Sequence, residues 1–158
     1  MSLLRKLKTL RSLKREEKQL IWDMLILSMA IPTGFRLFGV PRTQAYLRSR
    51  TGKQILRDNA RDDHDRMIRS VRRAQRIVCR NAGLRGTCLT RSMALWGELM
   101  RLGLETDLKI GFRRKNGRME GHAWIEYGGS VLNEAPEVVA TYTVWREGSY
   151  DRQWEMSS

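Results

Sequence analysis

Cysteine, histidine and proline are scarce in this chain, and the first two scarcities exclude whole classes of protein. The 158 residues include two cysteines, two histidines and three prolines. Two cysteines cannot form a disulfide framework, and their low number indicates a reducing compartment such as the cytoplasm. Because the histidines and cysteines are not closely spaced, a zinc site is not expected, and no other cofactor is implied.

Long apolar runs are also missing. The strongest one, LIWDMLILSMAI at residues 20–31, contains Asp23 and is followed directly by Pro32. A helix needs about 20 apolar residues to span a bilayer, and the N-terminus lacks the apolar core of a signal peptide. We therefore expect this run to form a buried helix, with a helix that lies on a membrane surface as the alternative.

Negative charge is scarce in the first half of the chain only. Lys and Arg outnumber Asp and Glu by 20 to 7 in residues 1–80, whereas the two classes balance at 10 each in residues 81–158. The whole net charge of +13 therefore lies in the first half. This asymmetry favours a basic region that docks nucleic acid, an anionic membrane or an acidic polypeptide, followed by a neutral working region. A solvated helix surface is the alternative.

The apolar run belongs to a predicted N-terminal helix. Its pattern extends over residues 14–31, where Pro32 and Gly34 are expected to interrupt it before a second short segment begins. A chain of this length is sufficient for one domain with its own core but too short for two. We expect residues 1–57 to form a basic helical region that packs on a catalytic core of residues 58–158.

Two further helices are predicted by their apolar spacing. Three- and four-residue steps indicate an amphipathic helix over residues 58–80, with Cys79 next to its apolar side and therefore expected in the core. The next helix, residues 88–102, is apolar on most faces, which is typical of the buried centre of a domain.

After the last helix the periodicity becomes alternating. Residues 104–114 read as a strand, an Asn-Gly pair is typical of a two-residue hairpin turn, and MEGHAWIEY follows as the partner strand. A Gly-Gly pair reverses the chain again into SVLNEAP, and a last strand is expected at residues 139–145. Helices followed by an antiparallel meander predict an α+β fold, with the apolar helix packed on the sheet.

Cys88 stands at the predicted start of the apolar helix, directly after a turn that contains Gly and Thr. The first amides of a helix are unpaired and its dipole is positive there, so this position stabilises a thiolate. Arg85 and Arg91 add positive charge, and Gly86 leaves room for a backbone amide to approach a reacting carbonyl. Cys88 is therefore our candidate nucleophile, and a small buried side chain is the alternative.

A thiolate nucleophile needs a base, and the chain offers two histidines. His64 lies among acidic residues at a helix start, where exposure to solvent is expected. His122 lies within a predicted strand between Gly121 and Ala123, whose small size leaves space for another group to approach the imidazole. His122 is therefore the candidate base, although a lone histidine in a strand is usually only a surface residue.

A third residue is expected to orient the imidazole, and Asn133 and Glu134 both qualify. If the Gly-Gly turn has two residues, Trp124 pairs with Asn133, which then shares the face of His122, and Glu134 points away. A bulge or a longer turn reverses this arrangement. Strand geometry alone leaves the choice open.

These residues resemble a known family. CLTRSMAL at Cys88, with HAWIEYGGSVLNE beginning at His122, is similar to the leader-peptidase B proteins of lasso-peptide biosynthesis, which are transglutaminase-like cysteine peptidases. The resemblance is to the version whose leader-recognition domain is a separate polypeptide. It implies a transglutaminase-like, papain-like fold and a Cys-His-Asp triad, with Cys88 as nucleophile and His122 as base. The Asp position of the family falls on Glu134, whose side chain is one methylene longer.

The resemblance also implies a reaction and partners. Such a peptidase removes the leader from a ribosomally made precursor that a separate leader-recognition protein presents, and an ATP-dependent lasso cyclase then closes the ring. The expected protein is a cytoplasmic thiol protease that binds no nucleic acid, with a peripheral membrane contact as an option. Two alternatives are another transglutaminase-like thiol acyltransferase and a non-catalytic basic module that binds nucleic acid.

Overall fold

Helices precede strands in the fold, as the sequence pattern predicts. The computed structural model describes residues 14–51, 61–81 and 86–145. Its elements are α1 (Arg15–Ser49), α2 (Arg61–Asn81), α3 (Cys88–Arg101), β1 (Asp107–Lys115), β2 (Arg118–Tyr127), β3 (Ser130–Val131), α4 (Pro136–Val139) and β4 (Thr143–Val144). The strands form one antiparallel sheet in the order β3-β2-β1-β4. Helix α3 packs on this sheet, and α1 and α2 pack on α3, so the α+β prediction is confirmed.

Helix α1 continues through the two residues that are expected to interrupt it. Pro32 lies inside the helix, although a proline in a helix interior is unfavourable by about 3 kcal/mol. Met24 and Ile31 are buried in the core on the N-terminal side of this proline. Because burial of a large apolar side chain stabilises by about 1.5–3 kcal/mol, packing outweighs the local preference, and the predicted interruption is wrong.

The change of direction in α1 occurs further along, at Gly39. Its φ of 79° lies outside the helical region and is strained for a residue with a side chain. The two parts of α1 then approach each other closely, because a Cβ on Gly34 would lie 2.9 Å from the Thr43 hydroxyl oxygen. Gly34 is therefore a packing residue, and the chain turns at Gly39.

The apolar run at residues 20–31 is only partly buried. One side of α1 enters the core, whereas the opposite side exposes large apolar residues, among them Trp22, Ile26, Met29 and Leu37. The prediction of a buried helix thus holds for one side of α1. Within the described ranges, α1 is the one helix with the length and composition to cross a bilayer. Core helices of soluble proteins and signal sequences share these two properties.

A partly buried ion-pair network joins α1 to α3. The Glu98 carboxylate is fully buried, and Arg101 donates hydrogen bonds to its two oxygens at 2.6 and 3.0 Å. The same guanidinium group reaches Asp23 of α1 at 3.1 Å, and the hydrogen bond to Glu98 raises the pKa of Arg101 above its usual value. The ion pair with Arg101 therefore explains why the apolar run contains an acidic residue, Asp23.

Helices α2 and α3 follow their sequence patterns. Helix α2 turns one apolar side to the core, which includes Ile68, Val71, Ala74 and Val78. Helix α3 begins after Thr87, ends before Gly103, and buries ten of its fourteen residues. The prediction that this helix forms the centre of the domain is confirmed.

Two tight turns set the register of the sheet. Asn116 and Gly117 have φ values of 51° and 73°, and Gly128 and Gly129 have φ values of 55° and 79°. Positive φ at both central residues is the geometry of a two-residue hairpin turn that matches the twist of the strands. The Asn-Gly and Gly-Gly pairs therefore form the turns that the sequence predicts.

A meander would place the last strand beside β3, but β4 lies at the opposite edge of the sheet, beside β1. Strand β3 pairs with β2 over two residues only, and the chain then crosses the sheet so that β4 pairs with β1. Of the strand predicted at residues 139–145 only Thr143–Val144 forms, because Pro136 begins a short helix that extends to Val139 and a turn follows it. The crossing segment brings Tyr142 against His122.

Candidate active site

One cleft is lined by every residue that the sequence nominates for catalysis. It has a volume of about 160 Å³ and is formed by α2, the beginning of α3, β2 and the segment after β3. Its lining includes Cys88, His122, Asn133 and Glu134. The fold therefore brings a thiol, an imidazole, an amide and a carboxylate together from three separate segments. The described residues contain no cluster of His, Cys, Asp or Glu that could hold a metal ion.

The thiol stands at the first residue of α3. Thr87 caps this helix: its side-chain oxygen accepts a hydrogen bond from the amide of Thr90, and its carbonyl accepts one from the amide of Arg91. The amides of Cys88 and Leu89 have no backbone partner among the described residues. These are the amides that a helix start offers to an anion. Cys88 itself is half-buried and not in a disulfide.

The turn before Cys88 is packed closely against α3. A Cβ on Gly86 would lie 3.1 Å from the side chain of Thr90, so glycine lets the turn approach the helix. Arg91 is exposed and lines the cleft, as its proposed electrostatic role requires. Arg85 lies outside the described residues.

Glu134 contacts the imidazole of His122. The Glu134 Oε2 atom lies 3.0 Å from His122 Nε2, and the two side chains are 31 % and 15 % exposed. A carboxylate at this distance accepts a hydrogen bond from Nε2–H, which leaves Nδ1 as the nitrogen that can exchange a proton with a thiol. Tyr142 stacks on the imidazole, with ring centroids 5.2 Å apart, and this contact restricts the plane of the ring.

The end of β3 explains how Glu134 reaches His122. The Gly-Gly turn has two residues, with Tyr127 opposite Ser130, which is the arrangement expected to direct Glu134 away. Strand β3 ends at Val131, however: one further backbone hydrogen bond joins the Leu132 amide to the Ile125 carbonyl at 2.8 Å, and residues 132–134 then form a bend. Alternation between faces applies only within a ladder. The expectation that Asn133 shares the face of His122 and that Glu134 points away therefore does not apply at these residues.

Asn133 has a different contact. Its side-chain oxygen accepts a hydrogen bond from the amide of Ile125 at 2.8 Å, and its amide donates to the hydroxyl of Ser92 at 2.8 Å. That hydroxyl donates to the carbonyl of Ala123 at 2.7 Å. This chain of contacts, which we name the Ser92–Asn133 bridge, ties α3 and β2 to the residue before Glu134.

Sequence reasoning does not identify Ser92. This residue is fully buried and lies one helical turn after Cys88, in a helix whose buried residues are mostly apolar. A serine at such a position is the one signal that could have indicated a polar contact, because a buried hydroxyl needs a partner. Its partners come from β2 and from the segment after β3, and no local pattern predicts them.

Two other candidates lie away from this cleft. His64 is not solvent-facing as expected: it is half-buried and shares a hydrogen bond with the Tyr127 hydroxyl. Cys79 is half-buried, so its predicted place in the core is only partly correct, and it lines a second cleft together with Arg80, Gly86 and Arg91.

A half-buried thiol, an imidazole paired with a carboxylate, and the first amides of a helix are the components of acyl transfer through a covalent thioester. In comparison with family models, the model of the transglutaminase-like superfamily matches residues 27–147, which is more than half of the chain. Comparison with curated proteins gives no match, and comparison with solved structures gives none either.

Proposed function

Because the chain belongs to the transglutaminase-like superfamily, we propose that it is a cysteine peptidase whose catalytic residues are Cys88, His122 and Glu134. One observation carries this proposal. His122 is paired with Glu134 at 3.0 Å in the same cleft that the Cys88 thiol lines. A histidine that only packs in a fold needs neither partner, whereas a base for a thiol needs both.

In the proposed reaction His122 takes the proton of Cys88, and the sulfur attacks the carbonyl carbon of the scissile peptide. The oxygen of the tetrahedral intermediate accepts hydrogen bonds from the amides at the start of α3. The C–N bond then breaks, and the imidazolium gives its proton to the leaving amine. Water, deprotonated by His122, attacks the thioester, which releases a carboxylic acid and returns the proton to the thiol.

The surroundings of His122 support this role. The second oxygen of Glu134 accepts a hydrogen bond from the amide of Ala135 at 3.2 Å, so the carboxylate is held from both sides. Trp124 lies on the same face of β2 as His122. Its indole is packed so closely against Gly111 that a Cβ there would lie 2.8 Å from it. A rigid setting of this kind keeps an orienting carboxylate and its imidazole in place before a substrate binds.

The proposed substrate is the leader of a ribosomally made lasso-peptide precursor, and the released core amine is what a lasso cyclase then joins. This part of the proposal rests on the similarity of the Cys88 and His122 motifs to the leader peptidases. In it a separate recognition protein presents the leader in the cytoplasm. The exposed apolar side of α1, which includes Trp22 and Ile26, supports a docking surface for that protein or a peripheral membrane contact.

The experiment that tests this function mixes the protein with the precursor and the recognition protein encoded beside it, and follows products by mass spectrometry. We expect a leader fragment that ends in a carboxylic acid and a core with a new N-terminus. A second reaction contains an added primary amine. A leader that ends in an amide of that amine would indicate an acyltransferase, and absence of cleavage under all conditions would contradict the peptidase.

A further inference from the structure

Three arginines line the cleft together with Cys88: Arg72 and Arg76 from α2, and Arg91 from α3. We refer to them as the arginine cluster. All three side chains are exposed, and none forms an ion pair within the part of the chain that the structure describes. The carboxylate of the same cleft is already bound to His122. The cleft therefore holds three guanidinium groups against one carboxylate.

The neighbouring arginine on α2, Arg73, differs from the cluster in its surroundings. Arg73 points to α1, where it donates to Glu17 at 2.8 Å, and thus has a structural partner. Arg72 and Arg76 lie one turn apart on α2, a spacing at which like charges repel. Gln75 donates to the carbonyl of Arg91 at 2.6 Å and holds the α2 and α3 parts of the cluster together.

We propose that the arginine cluster is a substrate subsite that binds the carboxylate of an acidic side chain next to the scissile bond. The proposal rests on the proposed peptidase function and adds a preference to it. Guanidinium groups bind carboxylates through paired, charge-assisted hydrogen bonds. The cleft of about 160 Å³ is smaller than the ~300–1,000 Å³ of typical small-molecule pockets, which suits a single side chain.

The test compares two alkylating reagents that differ in charge. Iodoacetate carries a carboxylate and iodoacetamide does not, and both form the same Sγ–C bond with loss of iodide. The experiment uses the Cys79→Ala variant, in which Cys88 is the remaining thiol. We measure the alkylation rate with each reagent by intact-protein mass spectrometry and use the ratio of the two rates, so that changes in the thiol itself cancel.

We expect Arg72→Gln, Arg76→Gln and Arg91→Gln each to lower the iodoacetate-to-iodoacetamide ratio, by up to about tenfold for the arginine that holds the carboxylate most directly. Arg73→Gln is the matched control: it lies on the same helix, carries the same charge and should leave the ratio unchanged. Sodium acetate should slow iodoacetate selectively in the parent protein and less so in the cluster variants.

An equal ratio in the parent protein and all three cluster variants would overturn the subsite. An equal fall of the ratio in Arg73→Gln would also overturn it, because the overall positive charge of α2 would then explain the preference for iodoacetate. The measurement needs no precursor peptide. If the protein fails to cleave a precursor but the ratio falls in the cluster variants alone, carboxylate binding by the arginine cluster stands and only the peptidase function fails.

Discussion

Cys79 and Cys88 are the two cysteines of the chain, and both are half-buried thiols whose clefts share Arg91. Positive charge therefore does not distinguish them. The Cys88 cleft adds the pair of His122 and Glu134, whereas the residues described around Cys79 include no histidine and no carboxylate. A thiol with a nearby cation but no base lacks the group that would take its proton.

The two thiols also stand at opposite ends of helices. Cys88 is the first residue of α3, where unpaired amides favour negative charge. Cys79 lies in the last turn of α2, where unpaired carbonyls disfavour it. The comparison indicates that the helix end and the imidazole, rather than the arginines, make one of these cysteines suited to nucleophilic chemistry.

Replacement of each thiol tests the comparison most directly. We expect Cys88→Ala to reduce precursor cleavage by about a thousandfold or more, because no nucleophile is left. Cys79→Ala should retain activity near that of the parent protein. Cleavage is followed by mass spectrometry, and circular dichroism confirms that both variants fold. Substantial activity in Cys88→Ala would disprove the thiol mechanism.

Removal of the negative charge that orients His122 should have the next largest effect. We expect Glu134→Gln to lower kcat by about 10²–10⁴-fold, because the amide cannot stabilise the imidazolium that forms during the reaction. Asn133→Ala should reduce kcat much less, since Asn133 does not contact the imidazole. A large loss of kcat in Asn133→Ala together with a small loss in Glu134→Gln would show that the orienting residue is misassigned.

The Ser92–Asn133 bridge should act mainly on stability. Ser92→Ala leaves the carbonyl of Ala123 and the amide of Asn133 without their partner, so we expect the free energy of unfolding to fall by about 1–3 kcal/mol. Urea denaturation measures this change. Ser70→Ala is the matched control, because the exposed Ser70 hydroxyl donates only to a carbonyl of its own helix. Equal effects in the two variants would argue against the bridge.

Salt should have the smallest effect, and it should act on substrate capture. At about 0.5 M salt the screening length falls to roughly 4 Å, so we expect KM to rise several-fold with little change in kcat. Charge reversal at Arg72 or Arg76 should raise KM in the same way, and reversal at Arg73 should do so less. If neither salt nor these reversals change KM, the basic surface of α2 is only solvated.

Residues whose role depends on local chemistry are the ones that the sequence predicts well. Cys88 follows a capping threonine at the start of an apolar helix, and the Asn-Gly and Gly-Gly pairs have the backbone freedom that hairpin turns require. The family match to residues 27–147 agrees with the resemblance at the level of the superfamily. The roles of Cys88, His122 and Glu134 in catalysis stay predictions.

The errors occur where a distant contact overrides a local rule. Pro32 is tolerated because the helix around it is packed, and Glu134 reaches His122 because the ladder ends before strand parity can apply. The contacts of Ser92 cannot be predicted from the sequence around it, because its partners lie 31 and 41 residues further along the chain. None of these contacts follows from the neighbours of the residue in sequence.

Cys88 is likewise far in sequence from His122 and Glu134, and this has a consequence for how the protein is made. Synthesis produces α3 with its thiol long before β2 and the segment after β3, which supply the base and its carboxylate. Contacts between distant parts of a chain also form late in folding. The nascent chain therefore carries a cysteine without a base beside it, and we expect that thiol to become competent for acyl transfer only when the final strands have docked.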